Sequence, residues 1–301
     1  MTDIRFDGRV AIITGAGGGL GKTYALMLGK RGAKVVVNDL GGKPDGTGAS
    51  TSMADTTVKE IQEAGGEAVA NYDSVSTPDG GKKITQCALD HFGRVDIVIN
   101  NAGVLRDKTF LKLTPEELEI VLDVHLKGAF FVTQPAFAAM KENSYGRILL
   151  TASAAGIFGN FGQTNYGAAK MGLLGLANVL ALEGAKNNIK TNVIAPIAKT
   201  RMTEQLLGPL ADAVMPDHVT PLVAYLVSEQ CTLSREFFSV GGGRFARIFV
   251  GLAPGWFAGK GKTATPEDIR DHIDQIRNPE GYIIPESIVQ DMQALGNALK
   301  G

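Results

Sequence analysis

Tyr166 and Lys170, four apart in Tyr166-Gly167-Ala168-Ala169-Lys170, carry the most suggestive chemistry in the chain. On a helix that spacing puts a phenol and an amine on one face. A free phenol ionises near pH 10, so service as a base near neutrality requires a drop of about 3 units, or about 4 kcal/mol. One cation at about 4 Å in a partly buried site provides about that much at an effective dielectric of about 20. Thirteen residues before Tyr166, Ser153 follows the apolar run Arg147-Ile148-Leu149-Leu150. Active groups gather at strand ends in open parallel sheets, so its hydroxyl is placed to orient a substrate oxygen.

A second constellation stands near the start. The run Thr14-Gly15-Ala16-Gly17-Gly18-Gly19-Leu20-Gly21 follows Val10-Ala11-Ile12-Ile13 and precedes a helical pattern. Glycines in such a turn let backbone N–H groups approach a pyrophosphate, whose charge then rests at the positive helix end. Ala16 with Gly21-Lys22-Thr23 also fits a relaxed P-loop, in which lysine and threonine would serve a triphosphate and magnesium. The strict form has glycine where Ala16 stands. Asp39, about 18 residues past the turn, favours the dinucleotide reading, since a carboxylate there accepts both ribose hydroxyls and repels a 2′-phosphate. With no basic residue beside Asp39 in the sequence, NAD is expected rather than NADP.

These groups need a frame. Short β-branched runs (Val10–Ile13, Val35–Val37, Val95–Ile99, Arg147–Leu150) are too short for helices and read as strands buried on both faces. Helical spacing fills Leu20–Lys30, Ala49–Ala64, Lys82–Phe92 and Thr164–Lys186 between them. The alternation predicts an α/β, doubly wound parallel sheet of Rossmann type over residues 1–244. Past Gly241-Gly242-Gly243 the rhythm is lost, and residues 245–301 read as a C-terminal appendage packed on the main domain. Thr265-Pro266-Glu267-Asp268 starts a helix there, with a threonine cap, proline at the first position and acidic residues in the first turn.

Composition narrows the function further. Thirty basic and 31 acidic side chains nearly cancel in 301 residues, so no global field draws nucleic acid or an anionic membrane. Cys87 and Cys231 are isolated, and no Cys/His cluster has metal-ligand spacing, so no metal site is expected. Met1–Arg9 carries Asp3, Arg5 and Asp7 and lacks the apolar centre of a signal peptide. The uncharged stretch Ile148–Ala169 is interrupted by Gly156, Asn160, Gln163 and Asn165, too polar for a bilayer. A soluble cytoplasmic protein is expected.

Taken in order, Thr14-Gly15 with Gly19 and Gly21, Asn100-Asn101-Ala102-Gly103, Ser153, and Tyr166 with Lys170 resemble the short-chain dehydrogenase/reductase family over about residues 5–240. The resemblance implies Tyr166 as acid/base, with Lys170 lowering its pKa and holding the nicotinamide ribose and Ser153 steadying the substrate oxygen. It implies a cofactor cleft of Gly15, Gly19, Leu20, Gly21, Asp39, Asp73, Ser74, Asn101, Gly103 and Thr200, and a homodimer paired through the helix of Tyr166 and Lys170. Asn38-Asp39-Leu40-Gly41-Gly42, Gly159-Asn160-Phe161-Gly162-Gln163, Glu183–Ile189 and Arg201-Met202-Thr203-Glu204 resemble the (3R)-hydroxyacyl-CoA dehydrogenase branch. In a multifunctional peroxisomal enzyme that part continues into hydratase and sterol-carrier segments; this chain is expected to be a free-standing relative.

The branch likeness implies NAD-dependent oxidation of a (3R)-3-hydroxyacyl-CoA, the alternative being another carbonyl reductase or a hydroxysteroid dehydrogenase. Ile157, Phe158, Phe161 and Met202 are the candidates for an apolar acyl slot, and Arg244, Arg247, Lys260 and Lys262 for coenzyme A phosphates. Two positions depart from the family pattern. His125 stands where the family has the asparagine of a proton relay acting through its main-chain carbonyl. Pro196-Ile197 replaces Pro-Gly, with Thr200 one residue early.

Overall fold

The computed structural model describes residues 3–200, 203 and 208–300. They fall into two compact units, Met1–Arg247 and Ile248–Gly301.

In the first unit the strands are β1 (Val10–Thr14), β2 (Lys34–Asn38), β3 (Glu67–Asn71), β4 (Ile97–Asn100), β5 (Gly146–Thr151), β6 (Ile189–Pro196), β7 (Phe237–Gly241) and β8 (Arg244–Ile248). Their order in the sheet is β3-β2-β1-β4-β5-β6-β7-β8. From β3 to β7 every pair is parallel, with Ile12 opposite Val36 on one side and Val98 on the other. Every residue of β1, β4 and β5 is buried, which is what helices on both faces demand and what the β-branched runs predicted. The expected doubly wound, Rossmann-like α/β fold is the one observed.

Helices α1 (Gly19–Lys30), α2 (Ser52–Glu63) and α8 (Thr220–Leu226) pack together in one layer. The remaining helices pack as α3 (Pro78–Phe92) against α5 (Gly128–Glu142), and α4 (Pro115–Leu122) against α7 (Thr164–Gly184). Predicted helix limits lie within a few residues of these. The starts have visible causes: Thr77 caps α3 with Pro78 behind it, and Thr114 forms a capping box with Glu117 at α4. The second of these, Thr114-Pro115-Glu116-Glu117, is the same start signal read at Thr265. A π turn over Asp123–Lys127 joins α4 to α5 and carries His125. Such turns cluster at functional sites.

The order β2-β1-β4 reverses the winding at β1. The crevice at the carboxyl ends of these strands is where an open α/β sheet binds its ligand. At the opposite rim, buried Asp96 accepts from Arg9, Arg94 and the Val10 N–H, so its charge is paired on every side.

The second unit has three helices, α9 (Pro266–Asp271), α10 (Ile273–Arg277) and α11 (Ile288–Ala298). Thr265 and Asp268 form the capping box expected from the sequence. A two-bond bridge joins Leu252 to Ile283, Phe249 stacks on Tyr282, and Trp256 lies 4.0 Å from His272.

Candidate active site

The first βα turn is built for close approach. Gly15 and Gly19 have φ of +66° and +53°, a backbone that side chains disfavour. A Cβ on Gly21 would lie 2.2 Å from the Gly15 carbonyl, so Gly21 lets α1 press against the turn. Asn101 completes the fit by donating to the Thr14 and Gly15 carbonyls, at 3.1 and 3.2 Å. No side chain caps α1 and its first turn holds no acid, which leaves its leading N–H groups for an anion. Beside it, Asp39 accepts from Gly17 N at 2.8 Å and Gly41 N at 2.7 Å, which fixes the carboxylate at the end of β2.

One cleft of about 1630 Å³, its open mouth included, runs from this turn to the catalytic residues. Its lining holds Gly15, Gly19, Leu20, Asp39, Asp73, Ser74, Asn101, Gly103 and Thr200 together with Ser153, Tyr166 and Lys170. Gly21 stands behind this lining, in the packing role just described. Pro196 and Ala198 line the cleft, whereas Ile197 between them is 39% exposed. Thr200 N donates to the Thr203 hydroxyl at 2.9 Å.

Ser153, two residues past β5, caps the short helix α6 (Ala154–Phe158), accepting from Ala155 N. Tyr166 lies in the first turn of α7, where Asn165 holds it. The Asn165 side chain accepts from Tyr166 N and donates to the carbonyls of Arg106 and Glu117. Burial pushes the Tyr166 hydroxyl up from its ordinary value, and a hydrogen bond from Ser153 opposes that rise. Lys170 is fully buried, donates to the Thr151 carbonyl at 2.5 Å, and is pushed down to about 7 by burial. Its ammonium lies 5.5 Å from the centroid of the Tyr166 ring. The amine therefore does not by itself bring Tyr166 into the neutral range, as the pairwise arithmetic of the sequence had it, because desolvation acts on both groups.

His125, read from the sequence at the family's relay position, is buried beside Tyr166 on the cleft lining. Its ring meets Tyr166 edge to face at 5.0 Å. Nε2 lies 2.7 Å from the Val104 carbonyl and 3.1 Å from its N–H, and the shorter contact makes Nε2–H the donor. Burial, then the nearby Lys170 charge, hold it well below its ordinary pKa, so it is neutral. Gly103 makes room for it, since a Cβ there would stand 2.4 Å from Cε1.

Other expectations meet different surroundings. Phe158 and Phe161 are 72% and 89% exposed and absent from the cleft lining; their loop is tied to the segment after β4, where Lys108 N donates to Gly162 O and Gln163 donates to Asp107. Met202 lies outside the described residues. Arg247 is taken up by Glu236 in two hydrogen bonds, and Arg244 donates to Ser239. Lys22, the lysine of the P-loop alternative, pairs with Glu60 at 2.7 Å, and the Thr23 hydroxyl donates to Leu20 O. Neither is turned to a triphosphate on the turn.

A short chain dehydrogenase family model matches residues 9–208, and the chain belongs to that family of oxidoreductases. Within it, the chain is 50% identical over 287 residues to the mouse peroxisomal multifunctional enzyme type 2, covering 95% of this chain and 39% of that protein. A Saccharomyces cerevisiae peroxisomal hydratase-dehydrogenase-epimerase is 51% identical over 276 residues, 91% of this chain and 30% of the yeast protein. Among solved structures, full-length peroxisomal multifunctional enzyme type 2 from Drosophila melanogaster matches 99% of this chain and 50% of its own, with TM-score 0.83 and 38% identity. The chain thus spans between about a third and a half of these relatives.

Proposed function

We propose that the chain oxidises (3R)-3-hydroxyacyl-CoA to 3-oxoacyl-CoA with NAD, Tyr166 acting as the base. The observation that carries this reading is the single cleft that joins the glycine turn and Asp39 to Ser153, Tyr166 and Lys170. Gly15, Gly18 and Gly19 line the cleft at the uncapped N-terminus of α1, where a diphosphate would rest, and Asp39 stands where a free ribose edge would be met. The dehydrogenase reading of the acyl substrate rests on likeness to the multifunctional enzymes.

Bound NAD supplies the hydride acceptor for the hydrogen on substrate C3. Ser153 donates toward the substrate oxygen and holds the C3 hydroxyl against Tyr166. Tyr166 takes the hydroxyl proton as the carbonyl forms. Lys170, at the foot of the same face, holds positive charge near the phenol and meets the ribose side of the cleft. His125 keeps the Tyr166 ring upright. Purified protein with NAD is expected to produce NADH from (3R)- but not (3S)-hydroxyacyl-CoA, followed at 340 nm; silence at every chain length overturns the assignment.

Pairing into a homodimer belongs to the same proposal. On α7 the residues Ala168, Met171, Gly175, Val179 and Leu182 recur at three- and four-residue spacing and are exposed, Val179 by 52% and Leu182 by 57%. An apolar stripe of that kind marks an interaction face. The stretch Thr164–Asn187 is also long and apolar enough to cross a membrane by length and composition. Lys170 buried against Thr151, and packing on β5 and β6, make it instead a helix of the core. The double variant Val179→Asp, Leu182→Arg is expected to halve the mass in light scattering, and an unchanged mass refutes pairing through this face. The charged N-terminal segment pointed to the cytoplasm, whereas the relatives named above are peroxisomal.

A further inference from the structure

One wall of the cleft has no part in the chemistry described so far. It is the loop that leaves β2 after Asp39, residues 40–50. Its base is closed by Ser50 N donating to the Leu40 carbonyl at 3.0 Å. Its tip is closed by Lys43 N donating to Thr47 O and Gly46 N to Lys43 O, both at 2.8 Å. The tip does not stand out into solvent. Leu105 N donates to the Pro44 carbonyl at 3.0 Å, and the Asp45 carboxylate lies 3.7 Å from the Arg106 guanidinium. Gly46 is seated so closely that a Cβ would lie 3.1 Å from Val104 and 3.2 Å from Ile120.

Sheet order turns these contacts into a direction. β2 and β4 flank β1, so a loop that leaves β2 and lands on the segment after β4 crosses above the carboxyl end of β1. That end carries the Gly15–Gly21 turn and the open N-terminus of α1. Gly42, Lys43, Pro44 and Gly46 line the same cleft as Gly15 and Gly19. Lys43 is, with Lys170, one of the two lysines on that lining, and it makes no ion pair among the described residues. Lys43 is exposed and feels the neighbouring Asp45 charge, and a cation on the wall of a cleft that holds a turn shaped for phosphates is matched to a diphosphate.

We propose that residues 40–50 form a strap over the dinucleotide, that Lys43 is a further cofactor-binding residue directed at its diphosphate, and that cofactor leaves when the strap lifts from Leu105 and Arg106. The inference rests on the NAD reading above. Its test is binding rather than turnover, made on the full chain with NADH by fluorescence titration and stopped-flow displacement. Lys43→Ala is expected to weaken NADH about tenfold at low salt, and by less than about threefold at 0.5 M salt, where screening shortens the reach of the charge. ADP-ribose, which shares the diphosphate but lacks nicotinamide, should lose the same factor. Asp45→Asn, which removes the charge facing Arg106 while its amide oxygen can still accept from Thr47 N, is expected to speed NADH release severalfold. Wild-type affinity in Lys43→Ala, a loss insensitive to salt, or unchanged release in Asp45→Asn each overturns the strap. A wild-type chain that binds no dinucleotide overturns the cofactor reading instead, and the two failures are told apart by that control.

Discussion

Replacing Tyr166 with phenylalanine is expected to lower turnover about 10³-fold while NADH affinity changes by less than about threefold. General acid–base catalysis by a positioned side chain is worth about 10²–10⁴ in rate, and no second phenol lines the described part of the cleft. The substitution keeps the ring that meets His125 edge to face and removes only the oxygen bonded to Ser153. Loss of one such hydrogen bond costs about 1 kcal/mol of stability, too little to unfold the domain. Single-turnover rates beside NADH titrations separate the two effects. Turnover within tenfold of wild type removes Tyr166 from the mechanism.

The second large effect has two signs. Lys170→Met is expected to abolish measurable turnover and yet to stabilise the protein by about 2 kcal/mol near pH 6. Burial holds the Lys170 amine at about 7, far below the value of about 10.4 for an unfolded lysine. Between those values the unfolded chain binds more protons than the folded one, so wild-type stability rises with pH across that window. Below pH 7 the folded state carries the buried charge at full cost, an upper bound of about 4–5 kcal/mol. Methionine removes that cost but forfeits the hydrogen bond to Thr151 O, which leaves the smaller net gain. Denaturant midpoints at pH 6 and pH 9 check it, the advantage of the variant being larger at pH 6. A variant less stable than wild type at pH 6 refutes the argument.

How much of this could be read from the chain alone depends on whether a residue's role is local. The glycine turn, Asp39, Ser153 and the Tyr166–Lys170 spacing are short-range patterns, and the cleft brings all of them together. The strand runs were legible because β-branched residues buried on both faces leave no polar alternation. Roles set by distant partners were not legible. Nothing in the spelling of Lys22 shows that it pairs with Glu60, and nothing in Phe158 or Phe161 shows that their side chains face solvent beside a loop bridged through Lys108 and Gln163. The charge arithmetic at Tyr166 was incomplete for the same reason. It counted one neighbour and omitted the desolvation that surrounding residues impose. Nothing in the spelling around Lys43 shows that the loop after β2 brings it onto the same cleft lining as Asp39.

The seating of the His125 imidazole against Gly103 has an evolutionary reading. A methyl at position 103 collides with a ring that the Val104 backbone pins in place, so position 103 is not free to drift while His125 stands. A smaller side chain at 125 would have to arrive before any larger one at 103, in one permitted order of mutation. The coupling is therefore one-sided, and descendants of this chain that keep His125 are expected to keep Gly103 as well.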